Sequence, residues 1–186
     1  MNYIIVDLEA TCWEERGDKR NEIIEIGAVC VNDNLEVLGE YCQFVKPKNH
    51  PVLSEFCTQL TSITQSQVDC ADEAPKVIAS FIDWINSFDG DYILCSWGHY
   101  DRVQFKNDCE LHGLEWSWTH RHISLKHQYG KIKGLRRPPG MKRALKSEKI
   151  ELEGTHHRGI DDAKNILKIF KKYFQQWDFN DLFKPK

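Results

Sequence analysis

The stretch YIIVDLEATCW, residues 3–13, decides the reading of this chain. Tyr3 to Val6 are four apolar residues in a row, the pattern of a strand buried on both faces. The strand then runs directly into Asp7 and Glu9, with Arg16 the nearest cationic side chain in sequence. Residues i and i+2 of a strand point to the same face, so the two carboxylates project side by side. Adjacent anions repel, and holding them unpaired in a partly buried position is costly. Either the strand end emerges into water, or a hard divalent cation such as Mg²⁺ or Mn²⁺ sits between them.

Outward from this strand, EIIEIGAVCV (22–31) and EYCQFV (40–45) read as two more strands, with Asn32-Asp33-Asn34 and Gly39 as turn chemistry between them. LSEFCTQL and TQSQVDC read as short helices, the second begun by Thr64 as N-cap. PKVIASFIDWINSF carries apolar residues at helical spacing, opens on Pro75 and is ended by Asp89-Gly90. YILCSW (92–97) returns as a buried strand, RVQFKNDCELHG is helical up to Gly113, and HISLK is short and extended. The last helix runs from about Ile160 to Phe174, with Lys164, Lys168, Lys171 and Lys172 mostly off its apolar face. Three strands followed by alternating helices and strands make a mixed α/β sheet domain. Residues 1–175 are expected to form one unit, and 176–186 a C-terminal tail that frays or docks through Trp177, Phe179 and Phe183.

Bulk properties narrow the class. The chain has 186 residues, 41% hydrophobic and 28% charged, ordinary values for one globular domain. No apolar run approaches the roughly 20 residues of a membrane span, and no secretory leader is read at the start. Seven cysteines without a C-x-x-C pair argue for reduced thiols in a cytoplasmic protein, and the eight histidines show no zinc spacing. The net charge of −3 conceals an asymmetry. Residues 126–149 hold nine Lys or Arg against Glu148 alone, leaving 16 basic and 27 acidic residues elsewhere. An acidic body with one basic segment is either a solvated loop or a local contact for a polyanion.

Two further places carry acids in telling positions. Asp101 follows the strand YILCSW at the start of a helix, where it serves as an N-cap or as a ligand. In THHRGIDDAKNI, His157 precedes Asp162 by five residues at the opening of the last helix, where Asp161 and Asp162 could also complement the helix dipole.

Asp-x-Glu on the first strand, Asp after a later buried strand and H-x-x-x-x-D on the closing helix together resemble the DEDDh 3′–5′ exonuclease family. DLEATCW, EIIEIGAV, LSEFCTQLTSITQSQVD, SWGHYD and HHRGIDDAKNI resemble its Eri-type exoribonuclease branch, across nearly the whole of residues 4–166. Some Eri-type proteins carry an N-terminal nucleic-acid-binding module, and here the catalytic region is read as starting at residue 2. The resemblance implies a ribonuclease-H-like mixed five-stranded sheet with helices on both faces. It also implies hydrolysis of single-stranded nucleic acid from the 3′ end, most readily RNA, assisted by two Mg²⁺ or Mn²⁺ ions.

By the same resemblance Asp7 would bridge the ions, Glu9 and Asp162 would complete one shell, Asp101 would help hold the other, and His157 would be the general base. His156 is then expected to be structural or exposed. Ala10 and Thr11 would meet the terminal ribose and Trp13 would stack on a base or pack. Arg136, Arg137, Lys142 and Arg143 would track the phosphates. A DNA-directed exonuclease and a catalytically silent nucleic-acid-binding protein are the competing expectations.

Overall fold

The computed structural model describes residues 1–15 and 17–183; Arg16 and residues 184–186 lie outside the described residues. The first strand, β1 (Asn2–Ala10), is the centre of a five-stranded sheet. It pairs antiparallel with β2 (Ile23–Asn32), which pairs antiparallel with the edge strand β3 (Val37–Phe44). On its other side lie β4 (Tyr92–Ser96) and β5 (His122–Ser124), both parallel, giving the order β3-β2-β1-β4-β5.

Both faces of β1 are buried, as its unbroken apolar start requires. Ile4, Val6 and Leu8 face one core, shared with α3 (Ala74–Asn86) and α4 (Tyr100–Leu111). Tyr3 and Ile5 face a second core with α5 (Leu125–Ile132), α6 (Met141–Ser147) and α7 (Gly159–Lys172). Two short helices, α1 (Glu55–Thr61) and α2 (Gln65–Asp69), build a satellite cluster beside them. Thr64 caps α2 through a capping box with Gln67, as its position predicts. Helix α7 buries Ile166, Leu167, Ile169 and Phe170 along one stripe. Each fully buried side chain of that size contributes about 1.5–3 kcal/mol of transfer free energy, so the closing helix is held by packing rather than by propensity.

Two expectations change. Gly39 is not in a turn: it lies within β3 opposite Cys30, and a Cβ there would come within 2.9 Å of Phe88. The turn is instead made by Asn32, whose Oδ1 accepts from the backbone of Asn34 and Glu36, with Leu35 at φ 63°. The basic segment also contains two helices, α5 and α6, that apolar periodicity did not pick out; both are under nine residues long and are separated by Pro138-Pro139-Gly140.

The described part of the tail docks. Trp177 donates its indole N–H to the Phe170 carbonyl (2.9 Å), Phe179 lies 4.6 Å from the Tyr3 ring, and the Phe183 amide donates to His122 O. No helix among the described residues is long and apolar enough to cross a membrane.

The parallel pairing of β1 with β4 ends at Ile5 and Cys95, while β1 continues for five residues beside β2 alone. A crevice therefore opens at the carboxyl ends of β1 and β4. In open α/β sheets that is where ligands bind.

Candidate active site

Four carboxylates reach this crevice from three elements. Asp7 and Glu9 come from β1 and Asp162 from the first turn of α7; their oxygens lie within 4.8 Å of one another. Asp101 sits in the first turn of α4, where its Oδ1 accepts the Leu8 amide at 3.1 Å and so ties that helix to β1. Glu9, Asp101 and Asp162 are buried and Asp7 is half-buried. Burial first, then the charges of Asp101, Glu9, Asp162 and Glu25, hold the Asp7 carboxyl well above the ordinary carboxylate range. Burial and the charges of Asp162, Glu25 and Asp101 push Glu9 up to about 8. Burial raises Asp101 to about 6, with hydrogen bonds from Ser96 and from backbone amides pulling the other way. Such a cluster of hard oxygen donors, with Asp7 and Glu9 disfavoured as anions by burial and by their neighbours, suits a divalent cation.

The approach of α7 depends on two glycines. Gly27 lies opposite Asp7 in the β1–β2 ladder, and a Cβ on Gly27 would fall 2.0 Å from the Gly159 carbonyl carbon. No other residue lets the helix start so close to the sheet. Glu25, fully buried on β2, accepts two hydrogen bonds from the Arg158 guanidinium (3.1 and 3.0 Å) and one from the Gly159 amide (2.9 Å). A buried carboxylate is tolerable only when its partners are this complete.

Asp161 and Asp162 part company here. Asp161 accepts the Thr155 amide at 2.8 Å and packs on Gly154, whose φ of 74° suits glycine. Asp162 is the one that joins Asp7 and Glu9.

The two histidines stack at 3.9 Å between ring centroids. His156 Nδ1 lies 2.9 Å from Asp162 Oδ2, so His156 is engaged with the acidic cluster rather than detached from it. His157 adopts φ 66° and donates its backbone amide to the same oxygen at 3.0 Å, while its ring is half-buried. Burial, followed by His156 and Lys142, lowers the His157 pKa, against the opposing charge of Asp162. The sequence pattern missed the His156 contact because a six-residue offset carries no signal until the loop's left-handed residues fold it back.

These groups line a cavity of about 610 Å³ together with Trp97, Tyr100, Lys126, Met141, Lys142 and Arg143. Of the proposed phosphate contacts, Lys142 and Arg143 line the cavity; Arg136 and Arg137 are exposed before α6 and do not. Ala10 and Thr11 are buried and do not line it either. The β1 register shifts after Glu9, and the Thr11 hydroxyl accepts the Glu22 amide at 2.9 Å. Trp13 lines a separate depression with Lys19 and Phe56, its ring 4.9 Å from His50.

Trp97 and Tyr100 flank Asp101 in SWGHYD and could have been read from that motif. Met141 had no sequence signal. It arrives because the Trp97 indole donates to Pro139 O at 3.1 Å and so pins the start of α6 to the crevice.

A family model described as "Exonuclease" matches residues 4–170. The rat (Rattus norvegicus) 3′-5′ exoribonuclease 1 is 35% identical over 181 residues, covering 92% of this chain and 52% of the relative. This chain thus spans about half of that relative's length. A crystal structure of the nuclease domain of 3′hExo, described as a DEDDh family member bound to rAMP, superposes with a TM-score of 0.91 at 30% identity, covering 100% of this chain and 97% of that one. A second structure, of histone mRNA stem-loop recognition by a 3′-exonuclease, gives a TM-score of 0.88 at 31% identity, covering 94% of this chain and 81% of that one. A family match over almost the whole chain, joined to four converging carboxylates on the same fold, means that this chain belongs to the DEDDh 3′–5′ exonuclease family.

Proposed function

We propose that this chain removes nucleoside 5′-monophosphates from the 3′ end of single-stranded RNA. The observation that carries the reading is the convergence of Asp7, Glu9 and Asp162 in one cavity with Asp101 and His157. Membership of the family implies divalent metal ions. Two such ions, Mg²⁺ or Mn²⁺, would be held by Asp7, Glu9, Asp101 and Asp162. Bound there, such ions would neutralise the scissile phosphate and lower the pKa of attacking water.

The remaining work falls to the chain's own groups. His157 takes the proton of the attacking water; its lowered pKa keeps the ring neutral and able to accept at pH 7. Lys142 and Arg143 contact phosphates behind the scissile bond and position the strand without reading its sequence. Trp97 and Tyr100 offer faces on which unpaired bases stack.

RNA is favoured over DNA because relatives are named exoribonucleases and the two structural neighbours at 30–31% identity hold rAMP or recognise an mRNA stem-loop. We take residues 1–175 as the catalytic unit, with the family match to 4–170 in support, and 176–186 as a tail whose described part docks on it. Seven unpaired cysteines support a reducing, cytoplasmic setting. The test is digestion of 3′-labelled and 5′-labelled RNA with Mg²⁺ or Mn²⁺, beside a DNA oligonucleotide of the same sequence. Mononucleotides leaving the 3′ end of RNA, with DNA cut more slowly, are expected. Internal cleavage, or full activity in excess chelator, would reject the assignment.

A further inference from the structure

The helix that delivers Asp101 starts without a side-chain cap. His99 precedes α4 and makes no capping hydrogen bond to its first turn, and Gly98 before it stands at φ 138°, a glycine conformation. An uncapped first turn leaves backbone donors unsatisfied and frays readily. Side chains hold this one instead. Asp101 accepts the Leu8 amide at 3.1 Å and His99 stacks on His127 of α5 at 4.5 Å. On the far side, the guanidinium carbon of Arg102 lies 3.4 Å from the centre of the Phe183 ring.

Arg102 is buried, and its Nε has no hydrogen-bond partner among the described residues. A buried cation is costly unless something compensates it, and here the face of an aromatic ring does so, a contact that strengthens as water is excluded. The tail brings that ring into place. Gln128 of α5 clasps the Asp178 backbone through two hydrogen bonds (2.9 and 2.8 Å), and Lys131 pairs with Asp181 at 2.8 Å. The Phe183 amide then donates to His122 O at 3.0 Å, beside the edge strand β5.

We propose that Phe183 is a positioning residue for Asp101: by covering the Arg102 guanidinium it fixes the first turn of α4, so that the docked tail governs how tightly the acidic cluster takes a divalent ion. Asp101 and Arg102 are consecutive and project about 100° apart around the helix, so the turn is gripped from two directions. The Leu8 amide holds it toward β1 and Phe183 holds it toward the tail. Without the ring, the guanidinium reaches water only by moving outward, and the turn that carries it rotates about Gly98. Asp101 then drifts from Asp7, Glu9 and Asp162, a loss that falls on ion binding before it falls on the fold.

The effect on turnover rests on the nuclease reading; the effect on ion binding does not, and the test reads both. Wild type, Phe183→Ala and Phe183→Tyr are compared as whole chains. The measurements are amide exchange at the start of α4, where Val103 donates to His99 O at 3.1 Å, the rise in melting temperature across a Mn²⁺ series, and the Mn²⁺ needed for half-maximal RNA hydrolysis. Phe183→Ala should fold, exchange faster at the Val103 amide and need about fivefold more Mn²⁺, short of the roughly 10–100-fold expected when a group bonded directly to a metal ligand is removed. Phe183→Tyr keeps a ring over the guanidinium and should return the Mn²⁺ requirement to within about twofold of wild type. In an Arg102→Ala background, Phe183→Ala should add nothing further, because the pair acts as one unit.

An unchanged Mn²⁺ requirement and unchanged exchange in Phe183→Ala would overturn the proposal. So would an equal loss in Phe183→Tyr, or the same loss from Phe183→Ala with Arg102 already replaced, since the tail would then act by its bulk alone. Wild-type protein unable to hydrolyse RNA would overturn the nuclease reading instead. The Mn²⁺ melting series and the exchange rates would then decide the role of Phe183 by themselves.

Discussion

Gly159, the first residue of α7, rests on Gly27 of β2 so closely that one methyl group on Gly27 would overlap its carbonyl carbon at 2.0 Å. Because Gly27 is paired with Asp7, and Asp162 lies three residues beyond Gly159, this contact sets the separation of two carboxylates on different elements. Gly27→Ala should therefore destabilise by roughly 3 kcal/mol, the upper end for overpacking, and should lose activity more steeply than stability. Melting curves with and without Mn²⁺ check this. The variant should lose the metal-induced rise in melting temperature even where it remains folded, and a wild-type rise would show that α7 is not positioned by the glycine pair.

Arg158 and Glu25 lock the same junction. Replacing Arg158 with Met leaves Glu25 buried with one backbone donor and the Cys42 thiol, and removing one partner of a buried pair costs about 3–5 kcal/mol. Glu25→Gln added to Arg158→Met should recover part of that loss by removing the stranded charge. Urea unfolding of the single and double variants measures it.

The acidic cluster gives metal-free protein a definite pH dependence. Asp7, Glu9 and Asp101 have folded pKa values raised above their unfolded ones, to about 8 for Glu9 and about 6 for Asp101. Between about pH 4 and pH 8 the folded state then binds more protons than the unfolded state, so stability falls as pH rises through this window. Buried Asp108, raised to about 6, acts in the same direction. His99, His112, His122 and His157 act oppositely: their lowered folded pKa values make stability rise with pH up to about 6.5, but no further above it, where Asp7 and Glu9 continue to cost stability. In chelator, the melting temperature should be lower at pH 8 than at pH 5.5. Mg²⁺ or Mn²⁺ should remove most of the difference by binding the ionised cluster, and Asp7→Asn should abolish both the metal effect and activity. A chelated protein more stable at pH 8 would contradict the cluster's assigned charge state.

The basic segment divides into two halves with different expectations. Replacing Lys142 and Arg143 with Ala should weaken binding of a longer RNA and flatten its log–log salt slope by about 0.7 per lost phosphate contact. Arg136 and Arg137, outside the cavity, should change affinity less. Fluorescence anisotropy across a salt series separates the pairs, and equal effects would mean that the strand runs past both.

Legibility in the sequence followed the range of the interactions. The β1 core, Thr64's cap and α7 rest on local periodicity and capping, so they could be read directly. Asp7, Glu9, Asp101 and Asp162 could be read because each sits at a strand or helix end with a short pattern around it. Thr11 and Trp13 are close to Glu9 in sequence, but with the register shift after Glu9 neither lines the cavity. Gly27 looked like any strand glycine; its role exists only against Gly159, more than a hundred residues away. Met141 likewise reaches the cavity through the long-range bond from Trp97 to Pro139.

His156 and His157 offer the sharpest test, since the folded loop places both beside Asp162. If His157 is the general base, His157→Ala should lose about 10²–10⁴-fold in kcat, while RNA binding in the presence of metal stays near wild type. The wild-type rate should fall as the pH drops through the His157 pKa in the enzyme–substrate complex, because a protonated ring cannot accept water's proton. In kcat/KM, which reports the free protein, the lowered pKa places the corresponding fall below the ordinary value of 6.5. His156→Ala should keep the pH profile and most of kcat. His156 Nδ1 lies 2.9 Å from Asp162 Oδ2, so its removal should also shift the Mn²⁺ concentration for half-maximal activation. Single-turnover rates across pH and Mn²⁺ concentration distinguish the two. An acid limb that disappears with His156→Ala but persists with His157→Ala would assign the proton to the ring that touches Asp162.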